Sequence, residues 1–246
     1  MSDSAAPKPA LNKSGSLCPA VKAADIVGDK WVLLILREMF LGTTRYNDFD
    51  RAIGRISPSV LSGRLKLLEA NGLVIKRQKP GQKATEYRLT RSGKELAPIV
   101  DHLSRWGLKW ARRQMQDEDI DVGSFMWDFH RTLKLDELPT GEHVFCVQFP
   151  SLKSYAKWWL IAGGGETSTV DLCTEDPGRN VDLYISGELP DLAAIWMGDV
   201  TVKSAMANGA VTLTGEAYLE KSAARWFPRS LYADVRPESS EPKNEG

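Results

Sequence analysis

Short polar and basic side chains cluster between residues 45 and 83, and their chemistry is hydrogen bonding and ion pairing rather than covalent catalysis. A serine hydroxyl can bond a base edge or a phosphate, a glycine lets a backbone come close, and Lys or Arg pairs with phosphate or guanine. These types in this order predict a contact with duplex DNA. The candidate residues are Arg45, Ser57, Ser59, Val60, Ser62, Gly63, Arg64, Lys66, Lys76, Arg77, Lys79 and Lys83.

A helix and a hairpin must position these residues. Ser57 is a good N-cap and Pro58 suits the first helical turn, so a helix is predicted from Pro58 to Asn71-Gly72. Its buried face should carry Leu61, Leu65 and Leu68, which leaves Ser59, Ser62, Gly63 and Lys66 facing outward. A basic hairpin follows, from Leu73 to Leu89 with a turn at Pro80-Gly81, here called the wing. A capped helix followed by such a wing is typical of a winged helix-turn-helix, which lays the helix in the major groove.

Charge divides the chain into two halves. Of its 32 basic and 32 acidic residues, residues 1–116 hold 21 Lys or Arg against 10 Asp or Glu, and residues 117–246 hold 11 against 22. The first half therefore suits a polyanion and the second would be repelled by one. A length of 246 residues agrees with two domains that have different partners.

An apolar stripe follows the wing. Ile99, Leu103, Trp106 and Trp110 are spaced as the a and d positions of a coiled coil. The stripe favours pairing of two protomers, because the first domain already has a core. Packing of the stripe on its own domain is the alternative.

The second half changes pattern. Segments 144–149, 157–162, 168–174, 181–186 and 210–214 are predicted strands, and helices are predicted at 191–197 and up to Phe227. Short connections predict an antiparallel sheet, and the later helices make this an α+β domain beside a mainly α first domain.

The sequence gives little indication of an active site, a metal site or a membrane-spanning segment. Ser154 and Lys157 match S-x-x-K without the companion motifs of hydrolases, so the hydrolase alternative is weak and we predict no enzyme. Cys18, Cys146 and Cys173 form no C-x-x-C pair, and no cofactor, metal site or disulfide is expected. Without an apolar run long enough for a membrane span, a cytoplasmic, nucleoid-associated protein with no membrane partner is expected.

Residues 18 to about 112 resemble the HxlR-type winged-helix regulators. The resemblance rests on Cys18-Pro19, Gly28-Asp29-Lys30-Trp31, Leu34 to Arg37, Arg45 to Phe49, Ile56-Ser57, Leu61 to Leu65, Leu68 to Val74, Tyr87 to Thr90, Gly93, Leu96 and Trp106. It implies a homodimeric, sequence-specific DNA-binding transcriptional regulator in which Arg45 touches the phosphate backbone. Some members sense oxidants through a cysteine near Cys18. Redox control is therefore one alternative for Cys18, and packing at the dimer edge is the other.

Residues 140 to about 228 resemble the sterol carrier protein type 2 fold. The matching residues are Asp176-Pro177-Gly178, Val181 to Leu183, Gly187, Leu192 to Asp199, Ala205, Gly209, Val211 to Leu213, Gly215 and Arg225 to Phe227. The resemblance implies an apolar effector or lipid in a tunnel lined by Trp158, Trp159, Ile195, Trp196, Met197, Met206 and Phe227, although such residues also fit a plain core. A lipid carrier with vestigial DNA binding is a further alternative.

The resulting domain prediction has five parts. Residues 1–16 and 236–246 are disordered tails, and 17–116 form the DNA-binding and dimerisation domain. Residues 117–139 are a linker, and 140–235 form a sterol-carrier-like effector domain.

Overall fold

The computed structural model describes residues 16–78, 85–112, 120–164 and 169–238. The chain divides into two compact units, one up to Ser104 and one from Arg105 onward. The division falls within one helix, Ala97–Trp110.

The first unit contains a helical bundle with a two-stranded wing. Its helices are α1 (Pro19–Val27), α2 (Lys30–Phe40), α3 (Tyr46–Ile53), α4 (Pro58–Ala70), α5 (Arg91–Lys94) and α6 (Ala97–Trp110), the last continuing into the second unit. The wing consists of the antiparallel strands β1 (Val74–Gln78) and β2 (Thr85–Leu89). The predicted winged helix-turn-helix order of elements is therefore present.

The core of this unit confirms the predicted buried face of α4. Leu61, Leu65 and Leu68 are fully or almost fully buried and pack with residues of α2 and with Phe49 of α3. Burial of three leucines at helical spacing fixes which side of α4 remains available to a partner.

The second unit is a five-stranded sheet with helices. Its elements are α7 (Val122–Arg131), β3 (Gly141–Gln148), β4 (Lys157–Gly164), β5 (Val170–Cys173), β6 (Leu183–Gly187), α8 (Leu189–Met197), α9 (Val202–Ala207), β7 (Val211–Gly215) and α10 (Ala217–Trp226). A short 3-10 turn, Leu135–Glu137, precedes β3. The core holds Phe129, Phe145, Leu160 and Trp226, all fully buried.

The sheet corrects the prediction of a purely antiparallel arrangement. The strand order is β5-β4-β3-β6-β7, and β3 pairs with β6 in parallel, with Phe145 opposite Leu183. The strands β4 and β5 extend the sheet on one side of β3, so the chain must cross back to add β6 on the other side. Such a crossover gives a parallel pair, whereas the other neighbouring pairs remain antiparallel.

The predicted linker at residues 117–139 is wrong over most of its described length. Asp121 caps α7 by accepting a hydrogen bond from the Ser124 backbone N–H, at 2.8 Å. Phe125, Met126 and Phe129 of α7 are buried in the same core as β3. Residues 122–138 therefore belong to the second unit, because their apolar side chains complete its core.

Two other predicted boundaries differ. The first domain was predicted to reach residue 116, whereas the division lies between Ser104 and Arg105. Val100 of α6 packs in the first core, but Lys109 Nζ lies 3.1 Å from Glu238 Oε1 and the Lys109 carbonyl accepts from Glu238 N at 2.9 Å. Glu238, at the start of the predicted C-terminal tail, is thus bonded to Lys109 of α6. Residues 1–15 and 239–246 lie outside the described residues.

Candidate nucleic-acid interface

Helix α4 presents a polar surface whose orientation is set from its first turn. Ser57 Oγ accepts a hydrogen bond from Val60 N at 3.4 Å, and Pro58 occupies the first turn, as predicted. Ser57, Ser59, Gly63 and Lys66 are exposed, and Val60, Ser62 and Arg64 are half-buried. The six α4 residues proposed as DNA contacts, together with the N-cap Ser57, therefore all lie outside the buried leucine face.

Tyr46 fastens the start of α4 to α3. Its hydroxyl donates to the Pro58 carbonyl at 2.8 Å and accepts from Ser62 Oγ at 3.3 Å. The Ser62 hydroxyl is thereby directed toward Tyr46, although its remaining lone pairs can still accept from a ligand. Tyr46 was quoted as part of a family motif in the sequence but was not assigned this contact.

Arg64 forms an ion pair with Asp29, the N-cap of α2. Arg64 Nε donates to Asp29 Oδ1 at 3.0 Å and Arg64 Nη2 donates to Asp29 Oδ2 at 2.8 Å. The guanidinium holds the pKa of the Asp29 carboxyl below its usual value, and the carboxylate raises the pKa of Arg64. The sequence predicted Arg64 as a DNA contact, and this partner was not foreseen.

The wing places two of its four predicted contacts on the surface. Lys76 and Arg77 are exposed on β1, opposite Tyr87 and Glu86 of β2. Arg88 is also exposed, but its Nη2 atom lies 2.7 Å from the buried carboxylate of Glu86. Lys79 and Lys83 lie outside the described residues.

Arg45 joins the wing to the helices. It is exposed at the N-cap of α3 and forms an isolated antiparallel bridge with Glu86, supported by the hydrogen bond from Tyr87 N to the Thr44 carbonyl at 2.8 Å. Its position beside the wing agrees with a backbone-phosphate contact.

Arg55 was missed in the sequence reading. It lies in the turn between α3 and α4 with φ of 48°, in the left-handed region that non-glycine residues rarely adopt, and its side chain is exposed. Strain of this kind concentrates at functional sites, so Arg55 joins the basic surface as a candidate. Sequence periodicity carries no signal for such a backbone conformation.

The apolar stripe on α6 is open to solvent. The exposed fractions are 56% for Ile99, 48% for Leu103, 58% for Trp106 and 54% for Trp110. Four large apolar side chains left exposed at coiled-coil spacing are typical of an interaction surface. None of the four side chains is buried among the described residues.

Cys18 lies at the N-terminus of α1 and is exposed. The backbone N–H groups of Val21 and Ala20 lower the pKa of its thiol. Both properties favour reaction of the thiolate with oxidants.

The proposed ligand-lining residues do not share one space. Trp158, Ile195 and Phe227 are buried in the main core, and Trp196 and Met206 pack against it partly exposed. Trp159 lies in a separate cluster with Val144 and Cys146, because neighbouring residues of β4 point to opposite faces of the sheet. The two tryptophans therefore lie on opposite faces of the sheet, and Met197 is half-buried on α8.

Membrane-spanning helices and metal-binding clusters are both absent from the described residues. No helix in that part of the chain is long and apolar enough to cross a membrane. The same residues contain no group of three or more His, Cys, Asp or Glu side chains arranged to hold a metal ion.

Comparison with known proteins places the first unit in a family. Residues 26–115 match the family model for the HxlR-like helix-turn-helix. The transcriptional regulator YvaP of Bacillus subtilis strain 168 is 39% identical over 102 residues, which are 41% of this chain and 94% of YvaP. The regulator YybR of the same organism is 36% identical over 99 residues, 39% of this chain and 76% of YybR. The oxidized form of the redox regulator HypR is 32% identical and covers 41% of this chain and 99% of its own, with a TM-score of 0.36. The family match and the near-complete coverage of YvaP show that this chain belongs to the HxlR-like helix-turn-helix family.

Proposed function

We propose that this protein is a dimeric, sequence-specific transcriptional regulator that reads duplex DNA with α4. The observation that carries the proposal is the surface of α4, where Ser59 and Gly63 are exposed opposite a core of three buried leucines. Short side chains on a capped helix allow close approach to base edges in the major groove. The coarser statement, a helix-turn-helix DNA-binding transcriptional regulator, follows from the family and its relatives.

Basic residues around α4 supply the sequence-independent part of the affinity. Arg45, Lys66, Lys76 and Arg77 are exposed, and Arg55 adds a fifth cation at the turn before α4. Each phosphate that such a cation neutralises releases counterions, so affinity falls steeply with salt.

The exposed stripe on α6 supports the dimer. A second copy that covers Leu103 and Trp106 removes apolar surface from water on both protomers. Two α4 helices held about 34 Å apart then fit successive major grooves of a near-palindrome.

Selection of duplexes from a random-sequence pool by the full-length protein tests this function. We expect an enriched near-palindrome, and fluorescence anisotropy should show tighter binding to it than to an unrelated duplex. Lys76→Ala with Arg77→Ala should weaken binding to both duplexes and reduce the salt slope by about two. The matched control is Lys203→Ala with Lys221→Ala, which removes two exposed lysines of the second unit. Enrichment of no duplex would overturn the proposal.

The second unit is proposed as an effector domain of sterol-carrier type. Support comes from the partly exposed Trp196 and Met206, which pack on the apolar core from α8 and α9. An apolar ligand that binds better in one dimer arrangement would change the distance between the α4 helices.

Native mass spectrometry of the purified protein should detect a bound small molecule, and its absence from protein expressed in several hosts would contradict this role. A lipid carrier with vestigial DNA binding predicts a ligand without any preferred duplex.

Redox control through Cys18 is a second candidate, favoured by its exposure and by the lowered pKa of its thiol. Diamide should weaken binding of the wild-type protein to the selected duplex and leave Cys18→Ala unaffected. Cys18→Ser keeps a small polar group at the same position and serves as the matched control. An equal response of all three proteins would remove this candidate.

A further inference from the structure

We propose that Arg64 is a positioning residue, which holds α4 on α2 through Asp29 and does not itself contact DNA. This inference rests on the proposed function, because it concerns how α4 is oriented for reading. It also differs from what the residue type suggests, since an arginine on a recognition helix is usually expected to bond a guanine or a phosphate.

One edge of the Arg64 guanidinium is already bonded to protein. The Nε and Nη2 atoms form the two parallel bonds to Asp29, at 3.0 and 2.8 Å. This is the planar fork that an arginine offers to a guanine or a phosphate. Engaging DNA with the same edge would require breaking both bonds and leaving the Asp29 carboxylate without its cation.

Asp29 connects two helices at one point. Its Oδ1 atom also accepts from Trp31 N at 2.9 Å and from Val32 N at 3.3 Å, which caps α2. The carboxylate is therefore held by the first turn of α2, and it also binds Arg64 in the second turn of α4. A bidentate contact to a fixed partner is directional, so it restrains rotation of α4 about its own axis.

Tyr46 supplies a second tie, between α4 and α3. Its contacts with Pro58 and Ser62 hold the first two turns of α4 against α3. The exposed residues Ser59 and Gly63 lie between the two ties. Small changes in helix orientation would move the Ser59 hydroxyl out of hydrogen-bonding range of a base and change how closely Gly63 approaches the groove, so the ties bear on selectivity more than on total affinity.

Solvent exposure points to the same consequence. The side chains of Arg64 and Asp29 are 37% and 34% exposed, so water screens their attraction and the pair contributes little to global stability. Loss of the pair should therefore leave the protein folded while α4 becomes less well oriented.

The test compares Asp29→Asn, Arg64→Gln, Arg64→Lys and the double variant Asp29→Asn with Arg64→Gln. Asparagine caps a helix as well as aspartate, so Asp29→Asn removes the ion pair and keeps the start of α2. Arg64→Lys keeps the positive charge and removes the bidentate bond. The probes are the duplex selected by the wild-type protein and an unrelated duplex of the same length, and binding is measured over a range of salt.

A positioning role predicts that all four variants lose about tenfold in affinity for the selected duplex and almost nothing for the unrelated one. The double variant should be no worse than the weaker single variant, because both substitutions remove the same contact. The salt slope should equal that of the wild type. Backbone amides of α4 should exchange hydrogen faster in Asp29→Asn and in Arg64→Gln, to the same extent.

Direct contact of Arg64 with DNA predicts a different set of binding results for these variants. Arg64→Gln would then lower the salt slope by about one, Arg64→Lys would bind almost normally, and Asp29→Asn would bind as the wild type does. Additive losses in the double variant would also overturn the inference. If Arg64→Gln does not fold, Asp29→Asn and Arg64→Lys decide between the two sets. Failure to select any duplex with the wild-type protein would instead count against the proposed function and is seen before any variant is made.

Discussion

Replacing Gly63 should change the stability of the protein and its affinity for DNA in opposite directions. Within the described residues, no heavy atom outside its own helical turns lies within 4 Å of where its Cβ would be. Gly63→Ala should therefore stabilise the protein by up to about 1 kcal/mol, because alanine favours a helix interior. The same methyl group would stand between α4 and the groove floor, so affinity for the selected duplex should fall.

Thermal unfolding and anisotropy check this prediction together. Gly63→Ser, which adds a larger polar group without the full gain in helix propensity, is the matched comparison. A Gly63→Ala protein that is more stable and binds the selected duplex as well as the wild type would show that DNA does not approach this part of α4.

Asp29 should make the stability of the first unit depend on pH in the acidic range. Its carboxyl pKa is lowered in the folded protein, mainly by hydrogen bonding from Arg64. The unfolded chain therefore takes up a proton at higher pH than the folded one, and the stabilisation is present above the ordinary Asp pKa of about 3.9 and is lost as pH falls through the folded value. Because solvent screens this pair, the difference in unfolding free energy between wild type and Asp29→Asn should be small, and we expect it to shrink below about pH 4. A difference that stays constant across this range would contradict the pairing.

Residues close in sequence were the predictable ones. Ser57 as a cap and Leu61, Leu65 and Leu68 as a buried face depend on spacing within one helix, and all four are confirmed. The partner of Arg64 is 35 residues away, and no periodicity connects the two positions. The exposed set on α4 was therefore within reach of the sequence, but which of its members already has a partner was not.

The misassigned element is α7. Phe125, Met126 and Phe129 have helical spacing, but the acidic residues before them suggested a linker. The helix is fixed by contacts with strands that follow it in the chain, so its burial depends on the whole sheet. The parallel pairing of β3 with β6 was missed for a similar reason, because strand patterns give positions in sequence and not the order of strands in a sheet.

His130 of α7 should make the second unit sensitive to mild acid. It is buried, and this burial lowers the pKa of its imidazole. Below the ordinary His pKa of about 6.5 the unfolded chain binds a proton that the folded protein resists, so stability falls as pH decreases. We expect His130→Gln to flatten this dependence between about pH 7 and pH 5, measured by urea unfolding with tryptophan fluorescence. His102→Gln, at an exposed histidine, is the matched control, and equal flattening in both variants would contradict the assignment.

Opposite charges on the two halves of the chain matter at the scale of the whole molecule. Residues 1–116 have an excess of 11 basic residues, which favours DNA, and residues 117–246 have an excess of 11 acidic residues, which disfavours it. The repulsion disfavours binding modes in which the second half lies along the duplex. The charge composition alone therefore favours the first half of the chain as the part that contacts DNA.

The proposed dimer depends on the stripe of α6, and one substitution on it should separate assembly from folding. Leu103 is 48% exposed in the single chain, so Leu103→Lys should leave the monomer folded while placing two charges in an apolar interface. Sedimentation equilibrium should give twice the chain mass of 27.3 kDa for the wild type and a single chain mass for the variant. Binding to a duplex with both half-sites should weaken strongly, and binding to a single half-site should change little. Leu231→Lys makes the same substitution at a leucine that is 61% exposed and off the stripe, and it should remain dimeric. A Leu103→Lys protein that is still dimeric, or a wild type that is monomeric at micromolar concentration, would move the interface elsewhere.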